Sequence, residues 1–167
     1  MWSIVAEVDR PNVGLCLDTF QTAGGEWGDP RTASGIGEAD GVSREALERR
    51  FRASLAELGG TVPKDKIYLL QISDAYRLAD PITEADEEGL RPRGRWSHDY
   101  RPRPFAGGYL PVVDVARAVL DTGFRSWFSY EIFDSGPDGK GKEYELEDFA
   151  AAAAESHGRL MEACMKQ

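Results

Sequence analysis

Val13-Gly14-Leu15-Cys16-Leu17-Asp18-Thr19-Phe20-Gln21 is an unbroken apolar run that closes on polar side chains, and its form returns twice along the chain. Ile67-Tyr68-Leu69-Leu70-Gln71-Ile72-Ser73-Asp74 repeats it, and so does Trp127-Phe128-Ser129-Tyr130-Glu131-Ile132-Phe133-Asp134. Continuous rather than alternating apolar strands are expected of a parallel sheet whose two faces are both covered by helices. Helical signatures separate the three runs. Ser43 reads as an N-cap ahead of apolar residues at Leu47, Phe51, Leu55 and Leu58, and Gly59-Gly60 is expected to end that segment. A second helix is expected from Leu110, with Pro111 in its first turn, Val112, Val115, Ala116, Val119 and Leu120 on its apolar face, and Gly123 at its end. A third runs from about Glu145 to Met165 along a stripe of Leu146, Phe149, Ala153, His157, Leu160, Met161 and Cys164. A helical stub, Trp2 to Val8, precedes the first strand, and long loops are expected over Thr22–Val42 and Ala75–Tyr109.

Strands and helices in that alternation predict an α/β fold with parallel strands and right-handed crossovers. A closed (β/α)₈ barrel takes about 250 residues, so three β/α units in 167 residues are expected to be part of a barrel rather than a whole one. The composition narrows the function. Twenty Lys and Arg against 29 Asp and Glu leave a formal charge of −9, which argues against nucleic acid as a partner, since phosphate binding needs a basic face. No apolar run approaches the ~20 residues of a membrane span, and the N-terminus lacks the pattern of a signal peptide. Cys16 and Cys164 are expected as reduced, buried thiols of a cytoplasmic protein rather than a disulfide. Gly35-Ile36-Gly37 lacks the third glycine of a dinucleotide loop, Gly139-Lys140-Gly141-Lys142 lacks the spacing of a phosphate loop, and there is no Cys-x-x-Cys.

Ligand sites of parallel α/β folds form outside the carboxyl ends of the strands. Asp18, Gln71 and Glu131 stand there, one on each strand, and their oxygens suit a hard or borderline divalent ion such as Mg²⁺ or Mn²⁺. Arg91, Arg93, Arg95, Arg101 and Arg103 make a basic island in an acidic chain. It reads either as a guanidinium site for a carboxylate substrate or as a solvated loop balancing Asp80, Asp86, Glu87 and Glu88. Arg101 and Arg103, nearest the Gly107-Gly108 turn, and Arg95 are the candidates for carboxylate binding. Of the two histidines, His98 is the acid/base candidate, with loop packing as its other reading. His157, on the apolar stripe of the last helix, reads as a packing residue.

Leu15–Gln21, Leu70–Asp74 and Ser129–Phe133 resemble the last three strands of the xylose-isomerase-like sugar phosphate isomerase/epimerase barrels. Within that superfamily, Gly24-Gly25-Glu26-Trp27-Gly28-Asp29-Pro30 and Arg91-Pro92-Arg93-Gly94-Arg95-Trp96-Ser97-His98-Asp99 resemble the fungal 3-dehydroshikimate dehydratases, as do Pro104–Val112 and Gly136–Lys142. The resemblance extends from about Val5 to Cys164. It implies dehydration of 3-dehydroshikimate to protocatechuate in quinate and shikimate catabolism, with a divalent metal (Mg²⁺, Mn²⁺ or Co²⁺). Asp18, Gln71 and Glu131 match the last three metal ligands of that family, and the acid carried by an earlier strand has no counterpart here. Bacterial relatives often place a histidine three residues after the aspartate; Gln21 holds that position and joins His98 among the catalytic candidates.

The chain, residues 1–167, is therefore expected to be the carboxyl-terminal part of such a barrel, acting on a small-molecule carboxylate. With its first strand edge unpaired, it is expected to self-associate or to need an amino-terminal half-barrel. Two other readings stand beside this one. A sugar isomerase or epimerase would use the same metal logic without needing the arginines, and a non-catalytic fragment would keep the strand-end residues by descent.

Overall fold

The computed structural model describes residues 1–38 and 41–166; positions 39 and 40 of the expected Thr22–Val42 loop lie outside the described residues, as does 167. After helix α1 (Trp2–Val8), strand β1 (Leu15–Asp18) runs directly into α2 (Thr19–Glu26), and α3 (Arg44–Thr61) follows. Strand β2 (Ile67–Ile72), α4 (Pro92–Asp99), β3 (Tyr100–Arg101), α5 (Val112–Asp121), β4 (Trp127–Tyr130), β5 (Phe133–Asp134) and α6 (Leu146–Met165) complete the order. The three long strands form one parallel sheet in the order β1-β2-β4, and β3 pairs antiparallel with β5 in a separate ribbon. The expected alternation of parallel strands and helices is present.

Local chemistry accounts for most boundaries. Ser43 caps α3 by accepting the Ala46 N–H at 3.3 Å. That helix continues through Gly59-Gly60 to Thr61, where the Thr61 hydroxyl donates back to the Glu57 carbonyl. Pro111 precedes α5 rather than lying inside it. Two helices stand where loops were expected. α2 begins because Asp18, in extended backbone, accepts the N–H groups of Phe20 and Gln21. α4 starts with Pro92 at its first position and buries Trp96. The third strand is shorter than the apolar run, because the chain leaves the sheet after Tyr130 and Phe133-Asp134 pairs with Tyr100-Arg101 instead.

The sheet is covered on one face, not two. Leu70 and Ile72 point into a core with Val5 of α1, Ala116 and Val119 of α5, Phe124 and Leu160 of α6. On the other face Cys16 is exposed, Trp127 is 78% exposed, and Gln71 and Glu131 are half-buried. Apolar residues on that face are what a closed barrel needs, where opposing strands rather than helices cover them. The same geometry corrects the expectation of two buried thiols: both cysteines are free, but Cys16 faces this open side and Cys164 is partly buried.

A second apolar cluster lies beneath the loops at the carboxyl ends of the strands. Trp96 is buried against Phe20, its indole N–H donating to the Tyr76 carbonyl at 3.0 Å, with Phe51, Leu55, Leu110 and Val115 around them. This cluster gives the 75–109 segment a core of its own, which a solvated loop would lack. At its edge Gly108 passes so close to Asp74 that a Cβ there would fall 2.2 Å from the carboxyl carbon. Asp74 is buried, accepting the N–H groups of Ala75 and Leu110 at 2.7 and 2.8 Å.

Burial pushes the Asp74 carboxyl up from 3.8 to about 6, although those backbone donors favour its charged form. The folded protein therefore takes up a proton here at a pH where the unfolded chain remains ionised. Stability from this group rises as pH falls from about 6 towards 4, by roughly 3 kcal/mol, and is lost as pH rises through 6. Asp74→Asn keeps an acceptor oxygen and cannot titrate. The urea-unfolding free energy of the wild type minus that of the variant should increase on acidification across this window, and a flat difference would contradict the buried charge.

Candidate active site at the strand ends

The register of the sheet assembles the site. Asp18 of β1 lies opposite Gln71 of β2, and Gln71 lies opposite Ser129 of β4. Residues in register on parallel neighbours share a face, and Glu131, two residues beyond Ser129, returns to that same face. Glu131 extends the ladder, its N–H donating to the Ile72 carbonyl. Thr19 ties the first two strand ends together: its hydroxyl donates to the Ser73 carbonyl at 2.6 Å and accepts the Ser73 N–H at 3.0 Å.

Into this cluster reaches Arg101, from the β3–β5 ribbon. Arg101 is 1% exposed, and each nitrogen of its guanidinium donates to the cluster. Nη2 meets Asp18 Oδ2 at 2.7 Å, Nη1 meets Glu131 Oε2 at 2.8 Å, and Nε donates to Ser73 Oγ at 2.9 Å. Phe20 lies under the guanidinium at 4.5 Å and Phe133 at 5.6 Å. Asp18 uses its other oxygen to cap α2, so its two functions are separated by atom. Burial raises its pKa; Arg101 and the two helix N–H groups oppose that rise without cancelling it. The Cys16 thiol is also pushed up, first by burial and then by the negative charges of Asp18 and Glu131.

Asp18, Gln71, Glu131 and Gln21 line one open cavity of about 840 Å³, bounded on its apolar side by Trp2, Leu15 and Leu58. The Gln71 amide oxygen accepts from the Cys16 thiol at 3.3 Å. Ser129 Oγ is buried without a hydrogen-bond partner, on the row that carries Gln71. Two carboxylates, an amide oxygen and an unanswered hydroxyl on one sheet face fit a divalent cation with oxygen preference. Among the described residues, no group of three His, Cys, Asp or Glu is placed to hold a metal ion.

The other sequence candidates divide. Arg101 reaches the cluster, where it holds the two carboxylates expected to bind metal. Arg95 donates to the Glu84 carbonyl at 3.1 Å, and Arg103 lies over the Phe149 ring at 5.7 Å. The three arginines therefore do not converge on one carboxylate site, because their helix and ribbon positions aim them at different neighbours. His98, exposed on the last turn of α4, stacks on Phe133 with centroids 6.5 Å apart. His157 packs as expected, its ring against Phe128 and its Nδ1 3.3 Å from the Tyr130 hydroxyl. Sequence reasoning missed Ser73 and Ser129, which stood within the quoted strands but carried no signal separating them from ordinary strand serines.

Residues 1–157 match the family model of the xylose isomerase-like TIM barrel, and the chain belongs to that family. A 3-dehydroshikimate dehydratase of Neurospora crassa is 35% identical over 168 residues, covering 96% of this chain and 45% of that protein. A 3-dehydroshikimate dehydratase of Pseudomonas aeruginosa is 29% identical over 81% of this chain and 15% of its own length. The chain thus spans less than half of the curated relatives it matches. Among solved structures, a xylose isomerase-like TIM barrel/4-hydroxyphenylpyruvate dioxygenase fusion protein superposes with a TM-score of 0.62 at 25% identity, over 98% of this chain and 19% of that one. The IOLI protein, solved with a binding zinc atom, superposes with a TM-score of 0.56 at 20% identity, over 99% of this chain and 44% of that one; this likeness concerns the fold.

Removing Arg101 would leave the buried Asp18 charge without its counterion. Arg101→Met should lower the urea-unfolding free energy by about 3–5 kcal/mol, and Arg101→Lys, which keeps the charge but not the fork, by less. A loss below about 1 kcal/mol for the methionine variant, as for a surface pair, would show that the guanidinium does not carry this role.

Proposed function

We propose that the chain is the carboxyl-terminal part of a cytoplasmic, divalent-metal-dependent lyase that dehydrates 3-dehydroshikimate to protocatechuate, in quinate and shikimate catabolism. The observation that carries this reading is the 35% identity to the Neurospora crassa dehydratase across 96% of the chain. The strand-end cluster supplies chemistry to match. Dehydration removes a proton α to the ketone and expels the β-hydroxyl as water, and negative charge develops on the carbonyl oxygen as it proceeds. Mg²⁺, Mn²⁺ or Co²⁺ held by Asp18, Gln71 and Glu131 would supply Lewis-acid stabilisation of that charge.

The remaining roles belong to side chains of this polypeptide. Arg101 fixes the orientation of Asp18 and Glu131 and contributes positive charge beside the substrate carboxylate. Arg103 and Arg95 turn to Phe149 and to the Glu84 carbonyl, so of the three arginines this reading assigns the substrate carboxylate to Arg101. Gln21 has no proton to gain or lose near neutrality, so its part is a hydrogen bond to substrate from the cavity wall. His98, with an imidazole, is the group suited to protonating the departing hydroxyl. An amino-terminal half-barrel, or a second copy, would supply the fourth ligand, an acid, and pair the free edges of β1 and β4.

Titration calorimetry with Mn²⁺ tests the ligand set. Gln71→Ala and Glu131→Gln should each weaken binding by roughly 10-fold or more, and an ultraviolet assay of the polypeptide completed with its amino-terminal half should show protocatechuate only with metal present. Unchanged affinity in both variants would remove these residues from the metal site. Turnover that survives chelation would remove the metal from the reaction.

A further inference from the structure

A second cavity, of about 790 Å³, opens at the same end of the molecule and shares no lining residue with the first. Its walls combine Trp27, Tyr76 and Tyr109 with Arg44, Arg77 and Lys142, and no carboxylate among the described residues lines it. In a chain of net charge −9 this is a local reversal of sign. The size lies within the range of small-molecule sites, roughly 300–1,000 Å³.

The walls are fixed before any ligand arrives. Tyr109 donates its hydroxyl to the Gly35 carbonyl, at a glycine whose φ of 75° and closeness to that ring exclude a side chain. Trp27 packs against Tyr109 with ring centroids 5.8 Å apart. At Gly107, where φ is 98°, a Cβ would fall 3.2 Å from the Tyr76 ring, so the chain turns closely over that ring. Lys142 is held over the Tyr76 ring at 5.0 Å, with its ammonium on the Tyr76 hydroxyl and on Asp134 at 3.0 Å. Asp134 answers the charge of Lys142, and Glu48 answers Arg44 from the surface at 3.1 Å. Arg77 makes no ion pair or hydrogen bond among the described residues, so its charge is the one available to a ligand.

From this juxtaposition we propose that the cavity is a binding site for a small ring-bearing carboxylate. The ring stacks on the Trp27 and Tyr109 wall, and the carboxylate is met by the Arg77 guanidinium, with Lys142 and Arg44 adding positive field. Offset aromatic stacking and a guanidinium–carboxylate pair supply the two halves of recognition. The inference does not rest on the reaction proposed above, because none of the metal-ligand candidates borders this cavity.

The test is 4-fluorobenzoate added to the full chain and followed by its fluorine NMR signal, with inorganic phosphate and cyclohexanecarboxylate as competitors. Saturable binding is expected, weakened by roughly 10-fold in Arg77→Gln and also weakened in Trp27→Ala, while Glu131→Gln changes it by less than about twofold. Arg77 is exposed, so its variant keeps the fold, and phosphate and cyclohexanecarboxylate should each displace the probe less well than unlabelled benzoate, added as a third competitor. Binding unchanged by Arg77→Gln would overturn the proposal. So would a larger loss in Glu131→Gln, which would put the probe in the strand-end cavity. Phosphate competing as well as benzoate would overturn the role of the ring.

Discussion

Arg101 is a full positive charge held away from water, and the ends of three parallel strands are arranged around the need to satisfy it. Asp18 closes β1, Ser73 follows β2, Glu131 follows β4, and each offers an oxygen to a different nitrogen of the same guanidinium. Such a charge is costly to desolvate and is tolerated only where geometry and hydrogen bonding are complete. The rest of the upper layer follows from that requirement. The β3–β5 ribbon exists to bring Arg101 in from the side, Phe20 and Phe133 give its planar faces apolar cover, and α2 starts where Asp18 turns its second oxygen to the backbone.

The same constraint explains why the segment from Ala75 to Tyr109 is not a passive loop. To deliver a buried arginine reproducibly, it has to be anchored on both sides of that residue. Trp96 anchors one side, inside the cluster beneath the loops, and the Ser73–Asp74 turn anchors the other, where the Asp74 N–H donates to the Pro102 carbonyl. From below, Ser156 of α6 donates to the Pro104 carbonyl at 2.9 Å, and Arg159 lies over the Phe105 ring at 4.5 Å. The site and its support are therefore built from opposite ends of the sequence.

Much of this was legible in the residues themselves. Three apolar runs with polar ends identify the strands and place Asp18, Gln71 and Glu131 at one end of the sheet, because a parallel arrangement leaves no other choice. Ser43 and Pro111 mark helix starts by chemistry that acts within a few residues. α2 and α4 were harder to read for a physical reason. Gly24-Gly25 and Gly94 are poor helix formers, and both segments are stabilised by tertiary packing, Gly24 by admitting the Trp96 ring and α4 by burying it. Asp18 followed three residues later by Gln21 is the spacing of a helix start, and it was the available signal. The fate of the arginine island could not be read locally: five similar side chains stand within thirteen residues, and only antiparallel pairing of Arg101 with Phe133 turns one of them inward.

The strand order has a further consequence, for the time course of folding. β2 is the middle strand, and each of its partners is distant in sequence, Leu15 meeting Ile67 on one side and Leu69 meeting Trp127 on the other. Parallel pairs of this separation incur loop-closure entropy before any ladder bond rewards it, which makes their assembly slow. On a ribosome, β1 would emerge and wait through the whole of α2 and α3 before its partner existed, and β4 would be the last strand of the parallel sheet to arrive. The helices, with their local contacts, are the parts able to organise first, and the sheet is fitted to them afterwards.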